Sequence, residues 1–323
     1  MIYSIIVPLF NKAAFVAAAV HSILAQEIRD IEVIVVDDGS TDDSVRLLNL
    51  ISDSRLTILR QSNAGVAVAR NEGIAAARGE YICFLDADDL WAPDHLAKIL
   101  ELIHEDPDAI AWATGYTEID EFPCLPASLG CMRMGTMHSQ RFDQHDFMFL
   151  WSRRPFFWTG SITVRATTLR ELQPCFPPGE RLGEDQDLWF RLSERGHIRF
   201  IDVRTTTFYR RNVGNSLTSV NVLEPLPAFL RLIARTGGQA PREQRAAKHL
   251  FNIHLLHVAW INCLAGRRVA AFRFLWAVPL GVRWMYWIRI CICTLLPSGL
   301  VHFTLSMARR ARSLGNTQKT YEL

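Results

Sequence analysis

The chain has 323 residues, of which 49% are hydrophobic and 21% charged. That apolar content supplies a packed core and excludes a disordered chain, and the length suits one large α/β domain or two smaller ones. The net charge of +2 conceals a division: residues 244–323 carry eleven Lys and Arg against one acid, Glu322, whereas residues 1–243 carry 24 basic and 32 acidic residues.

The elements follow in chain order. Tyr3–Leu9 is a short apolar run and reads as a buried strand. Ala13–Gln26 has helical spacing, Ile31–Val36 is a second buried strand, and Thr41–Ile51 is a helix with Ser40 or Thr41 as its cap. Leu56–Leu59 is a third strand, Val66–Ala77 an Ala-rich helix stopped by Gly79, and Tyr81–Leu85 a fourth strand, after which Pro93 opens another helix. Residues 115–155, rich in Met, Cys, Pro and aromatics, read as an irregular insertion or lid. Ile162–Val164 is a strand, a helix begins near Glu184, and Ile198–Tyr209 returns as a strand. Alternating helices and continuously apolar strands predict a mainly parallel sheet covered on both faces. In such sheets ligands sit at the carboxyl ends of the strands. The acids collect there: Asp37 and Asp38 after the second strand, Asp86, Asp88 and Asp89 after the fourth.

The last third differs. Residues 241–265 are helical by pattern. Residues 267–296 mix bulky aliphatics and Trp with Arg267, Arg268, Arg273, Arg283 and Arg289, while 290–308 lack charge but contain Pro297 and Gly299. Four of the nine Trp, Trp260, Trp276, Trp284 and Trp287, fall in this basic part. Trp and Arg at repeated intervals predict an amphipathic helical region over 216–323 that lies on a membrane surface, peripheral or monotopic. The interleaving of Arg with aliphatics argues against nucleic acid as a partner. His249, His254 and His257 lack an acid or Cys at suitable spacing and read as helix-face residues, not metal ligands. The seven Cys are odd in number and form no CxxC pair, which points to reduced thiols. The start, MIYSIIVPLFNK, has no basic region and too short an apolar run for a signal peptide, which leads to the expectation of a protein on the cytoplasmic side.

Five segments carry chemistry: Ile5–Lys12 (IIVPLFNK), Val33–Asp42 (VIVVDDGSTD), Asn63–Gly73 (NAGVAVARNEG), Gly79–Asp89 (GEYICFLDADD) and Gly183–Arg191 (GEDQDLWFR). In this order, over roughly residues 1–215, the chain resembles the inverting glycosyltransferase family 2, whose fold is GT-A, Rossmann-like with a mainly parallel sheet. The resemblance implies a catalytic domain at 1–215, with a nucleotide-sugar-binding half at 1–110 and an acceptor half at 111–215. It implies transfer of a sugar from a nucleotide-diphosphate sugar, UDP favoured, to a glycan or lipid-linked acceptor in cell-envelope polysaccharide or glycolipid synthesis.

The roles follow from that resemblance and from the chemistry. Mg²⁺ or Mn²⁺ neutralises the diphosphate and prefers carboxylate oxygens. Asp88 is the candidate direct ligand, and Asp86 holds the ribose hydroxyls or binds the metal through water. Asp38 accepts from the base, for which the uracil ring N–H is a suitable donor. Pro8 and Phe10 form the first strand-end turn along base and ribose. Arg70 orients the acids or the diphosphate. Asp185 is the base that deprotonates the acceptor, and Glu184 supports it or contacts the acceptor. Trp158 is placed to stack on an acceptor sugar. Many relatives carry a His in the stretch after Tyr209; here Arg210, Arg211 and Asn212 stand there instead, and the resemblance leaves two replacements open, Asn212 at the His contact or Arg210 and Arg211 on the diphosphate directly. Two other readings compete: a nucleotidyltransferase, which wants a Gly- and Arg-rich loop where Pro-Leu-Phe-Asn-Lys stands, and a non-catalytic nucleotide-sugar-binding scaffold, against which the full set of acids speaks.

Overall fold

The computed structural model of the chain describes residues 2–119, 139–211 and 222–296. The chain divides into two units, Met1–Ser219 and Val220–Leu323.

The first unit is built on an eight-stranded sheet. Four parallel strands open it, in the order β3 (Leu56–Arg60), β2 (Ile31–Asp37), β1 (Tyr3–Leu9) and β4 (Tyr81–Phe84). β9 (Ile162–Arg165) follows antiparallel to β4. β6 (Ala111–Thr114) and β10 (Ile198–Ile201) are parallel to each other, and β8 (Gln140–Phe142) closes the edge antiparallel to β10. A second, three-stranded sheet has the order β5 (Leu90–Trp91), β11 (Thr207–Arg210) and β7 (Thr117–Ile119). The predicted strand Ile198–Tyr209 is therefore two strands in two sheets. Its middle turns at Asp202, whose carboxylate pairs with Arg204.

Every residue of β1 and β2 is buried, because helices cover both faces. Ile5, Val7, Val33 and Val35 meet Val16, Ala19, Val20 and Ile23 of α1 (Val16–Leu24) in one core cluster. The alternate residue Ile6 faces α3 (Val66–Ala76), where Gly73 lets the helix approach: a Cβ there would lie 2.3 Å from Ile6 Cγ2. Pro8 is tolerated inside β1 because its face of the ladder with β4 ends at Ile6, paired with Phe84. The helix α2 (Ser44–Leu48) is shorter than predicted and is not capped by Ser40 or Thr41. Asp42 accepts from the Ser44 N–H (3.0 Å), and Ser40 and Thr41 instead bind Asn11. Residues 139–155 are more regular than an irregular lid: they hold β8 and α5 (Gln144–Trp151), with Asp143 accepting from the Asp146 N–H at the helix start. Residues 120–138 of that segment lie outside the described residues.

Parallel pairing sets Leu9 beside Asp37 and Ile6 beside Phe84. The carboxyl ends of β1, β2 and β4 thus share one edge. The five residues 85–89 then carry the chain from β4 in the large sheet to β5 in the small one. Asp86, Asp88 and Asp89 all lie on that crossing segment.

In the second unit, α9 (Pro241–Leu264), α10 (Arg268–Trp276) and α11 (Trp284–Leu295) enclose a cluster of Leu255, Leu256, Ala259, Phe274, Leu275, Trp287 and Ile290. α8 (Pro227–Thr236) packs on α9, with the Phe229 and His254 rings stacked 3.9 Å apart. His254 Nε2 accepts from the Leu226 N–H, and burial pushes the His254 pKa down to about 3. Among the described residues no helix is long and apolar enough to cross a membrane.

Gly79 is the tightest backbone approach in the first unit. A Cβ there would stand 2.7 Å from the Ser4 N and 2.9 Å from the Tyr3 carbonyl carbon. These are backbone atoms of the central strand, so they cannot step aside. Gly79→Ala is expected to destabilise the chain by about 1–3 kcal/mol in a urea denaturation series.

Candidate active site

The site grows from the three strand ends. After β2, Asp37 accepts from the Ser40 N–H (3.0 Å) and closes the turn. Asp38 is buried, and its carboxylate accepts from Gln61 Nε2 (2.7 Å), the Ala64 N–H (2.7 Å) and the Gly65 N–H (2.8 Å). It therefore organises the 61–65 loop that leads into α3, a role its position after the strand did not reveal. Of the two residues read as the first turn, Pro8 is a buried member of β1. The turn begins at Phe10, whose ring is 45% exposed at this edge.

Arg70, on α3, is buried and joins two distant segments. Its Nη2 donates to Asp86 Oδ1 (2.8 Å) and its Nη1 to Glu184 Oε1 (2.9 Å). The guanidinium carbon also lies 5.2 Å from the centre of the Phe176 ring. Asn71 fixes Phe176 by a two-way backbone clasp, Nδ2 to the Phe176 carbonyl (2.7 Å) and the Phe176 N–H to Oδ1 (3.0 Å). Burial acts to lower the Arg70 pKa, but Asp86 and Glu184 outweigh it and hold the group charged.

Glu184 and Asp185 open α7 (Glu184–Ser193), which Gly183 starts in the left-handed region at φ 78. Acids are favoured there by the exposed helix N–H groups. Burial, then the neighbouring Asp185, push the Glu184 pKa up to about 7 against the pull of Arg70. Burial raises Asp185 as well, opposed by Arg70 and by its hydrogen bonds. Asp185 is nonetheless half-buried at its surface. It accepts from Thr159 Oγ1 (3.3 Å) and the Gln186 N–H (2.7 Å). Thr159 follows Trp158, whose ring meets Tyr209 edge-on at 5.0 Å and lies 6.2 Å from Tyr116. Trp158 is only half-buried in this aromatic cluster.

Asp88 is paired with Lys12, Nζ to Oδ2 at 2.6 Å. Burial raises the Asp88 pKa, Lys12 lowers it, and Asp86 raises it again. Asp89 is fully enclosed and accepts from the Arg210 N–H (2.6 Å), which ties the acidic segment to β11. Arg210 is buried with its guanidinium 4.7 Å from the Phe15 ring, while Arg211 pairs with Glu118 at 3.1 Å. Asn212 lies outside the described residues. Sequence reasoning missed Lys12, Thr159 and Gln61. Lys12 was visible in principle, as the only cation in the first strand-end segment.

Arg70 engages one oxygen of Asp86 and Lys12 one oxygen of Asp88. The second oxygen of each carboxylate adds to a hard donor set that fits Mg²⁺ or Mn²⁺. A separate group, Asp143, His145 and Asp146, lies at the start of α5 with both acids exposed. Asp143 there serves as the helix cap.

The glycosyl transferase family 2 profile matches residues 4–157, and the glycosyl transferase family group 2 profile matches 81–308. The chain belongs to glycosyltransferase family 2. An uncharacterized glycosyltransferase of Rickettsia felis is 32% identical over 200 residues, 62% of this chain and 31% of the relative. The chain therefore spans about a third of that relative's length. The Escherichia coli UDP-Glc:α-D-GlcNAc-diphosphoundecaprenol β-1,3-glucosyltransferase WfaP is 34% identical over 118 residues, 36% of this chain and 47% of WfaP. Among solved structures, S. aureus TarS 1–349 in complex with UDP-GlcNAc superposes with a TM-score of 0.65 at 19% identity, covering 87% of this chain and 83% of that one. The mannosyltransferase PcManGT of Pyrobaculum calidifontis, in complex with GDP-Man and Mn²⁺, gives 0.53 at 20% identity, covering 95% and 79%. Both have the GT-A fold seen here.

Removing the Arg70 charge leaves Asp86 and Glu184 without their shared partner. Arg70→Met is expected to lower stability by about 3–5 kcal/mol in denaturant titration at neutral pH. The deficit is largest above pH 7, where Glu184 is ionised in the wild type, and is smaller and level below about 7, where Glu184 is protonated with or without the cation.

Proposed function

We propose that this family member moves a sugar from a nucleotide-diphosphate sugar, with UDP favoured, to a hydroxyl of a glycan or lipid-linked acceptor, inverting the anomeric carbon. The observation that carries the reading is the ion pairing of one buried Arg70 with both Asp86 and Glu184. It draws the donor-side acids and the acceptor-side acids to one cleft. The TarS complex with UDP-GlcNAc and the WfaP description support a UDP-sugar donor, and WfaP also supports a lipid-linked acceptor.

Asp185 is the base in this scheme. Burial makes its carboxylate more basic than that of an exposed aspartate, and the Thr159 hydroxyl orients it. The acceptor hydroxyl gives its proton to Asp185 as its oxygen bonds to the anomeric carbon. The bond from that carbon to the β-phosphate oxygen breaks, and the nucleoside diphosphate leaves with the electron pair. Phe10 covers the base, Asp38 holds the loop beneath it, and Trp158 receives the acceptor sugar. Asp88, with Asp86 beside it, would hold Mg²⁺ or Mn²⁺, which when bound neutralises the leaving diphosphate.

The second unit is proposed to rest on the cytoplasmic face of the membrane. Its inner helix faces are packed, yet Trp276 is 70% and Met285 68% exposed, and Trp284, Ile288, Ile292 and Leu295 line the outward face of α11. Such a patch in a basic region suits the headgroup layer of anionic lipids.

Asp185→Asn is expected to reduce turnover by at least about a thousandfold while UDP binding, followed by calorimetry, changes less than about twofold. Near-normal turnover in this variant removes Asp185 from the role. Trp284→Ser combined with Ile288→Ser is expected to weaken sedimentation with phosphatidylglycerol vesicles by about tenfold or more. Unchanged binding would remove α11 from the membrane contact.

A further inference from the structure

Lys12 sits where a fixed backbone meets the acidic segment. Its turn is held to residues 40–44 at four points. The Asn11 N–H donates to Ser40 Oγ (3.0 Å), the Lys12 N–H to Ser44 Oγ (3.0 Å) and the Ala13 N–H to Asp42 Oδ2 (2.9 Å), while Asn11 Oδ1 accepts from the Thr41 N–H (2.8 Å). Asn11 itself takes φ 52, a left-handed conformation that Asn tolerates better than most residues. The Lys12 carbonyl accepts from the Phe15 and Val16 N–H groups, which locks the turn onto α1. The backbone of Lys12 is therefore anchored, and only its four-carbon stem is left to move. That stem delivers Nζ to Asp88 Oδ2 at 2.6 Å, with both side chains about one-sixth exposed (15% and 16%).

The two cations of the cleft differ in kind. Arg70 is a planar fork shared by Asp86 and Glu184 and stacked near Phe176, so it is fixed. Lys12 is a point charge on a flexible stem, with Asp88 as its ion-pair partner. A divalent ion that takes Asp88 as a ligand meets an ammonium within a few ångströms, in a site where water screens poorly. A nucleoside diphosphate brings anionic oxygens to the same edge, and lysine binds phosphate well as a point charge.

We propose that Lys12 is a built-in competitor of the divalent cation: its ammonium holds Asp88 until the ion enters, then moves onto the donor diphosphate. The idea rests on the donor-site reading above and adds the order of charge exchange within it. Before the donor arrives, the ammonium balances the buried carboxylate. Once ion and diphosphate are both present, each cation has an anionic partner. Ion and nucleotide therefore strengthen each other's binding, by the same factor in either order.

The test is an Mn²⁺ titration of the full chain, read from the electron paramagnetic resonance signal of the free ion, with and without UDP. Without nucleotide, Lys12→Met is expected to bind Mn²⁺ about tenfold or more tightly than the wild type. UDP should then tighten Mn²⁺ binding less in this variant than in the wild type. Lys12→Gln repeats the loss of charge in a polar side chain, and Lys12→Arg, which keeps the charge, should stay near the wild type. Asp88→Asn should weaken Mn²⁺ binding in either background. If Lys12→Met and Lys12→Gln bind Mn²⁺ no more tightly than the wild type, or if Asp88→Asn leaves the titrations unchanged, the proposal is overturned. Calorimetry of UDP with the wild type separates the two readings. A chain that shows the Lys12 effect on Mn²⁺ but no UDP binding keeps the competition and loses the donor site.

Discussion

A single buried guanidinium holds the cleft together. Arg70 reaches Asp86 at the end of β4 and Glu184 at the start of α7, residues separated by almost a hundred positions in the chain. Burying the charges of Arg70 and Glu184 beside a partly exposed Asp86 is expensive, and replacing such a triad with apolar groups is often neutral or stabilising. Stability alone is therefore a poor reason for the arrangement. Its effect is geometric: the crossing segment 85–89 and the helix that presents Asp185 are held in one register. Asn71 and Phe176 extend the clamp, since the ring beside Arg70 is fixed by the residue next to Arg70 in sequence.

Around this clamp the acids are sorted by their partners. Asp86 and Glu184 share a fixed cation, Asp88 has a movable one, and Asp89 is held by a backbone N–H from the neighbouring sheet. Asp185 instead has a hydroxyl and a backbone N–H as partners. Neighbouring carboxylates placed in unlike environments take unlike roles. In the proposed scheme the half-buried acid held by neutral donors takes the acceptor's proton, and the others shape the field around the diphosphate.

The C-terminal unit has a different logic. Its helices are apolar on more than one face: Trp287 and Ile290 close the internal cluster while Trp284, Met285 and Ile288 on the same helix stay outside it. A helix of a soluble domain usually presents a polar outer face. Here Arg residues punctuate an exposed apolar surface, and no described helix has the length and hydropathy of a membrane span. The exposed apolar surface is what the membrane proposal rests on.

The alternation of apolar runs and turn residues determined the strand–helix order, and with it the edge at which the acids gather, because parallel strands must end together. The order of the five segments determined the family. The resemblance carried by those segments also named Asp86, Asp88, Glu184 and Asp185, acids that stand at element boundaries. What it did not determine were the partners. That Asp88 meets Lys12, that Asp38 closes the 61–65 loop, and that residues 198–209 divide between two sheets depend on contacts between segments far apart in sequence. Hydrophobic periodicity reports only which face of an element is buried. Which charge meets which across a cleft is decided by packing, and only the folded chain brings Arg70 between its two carboxylates.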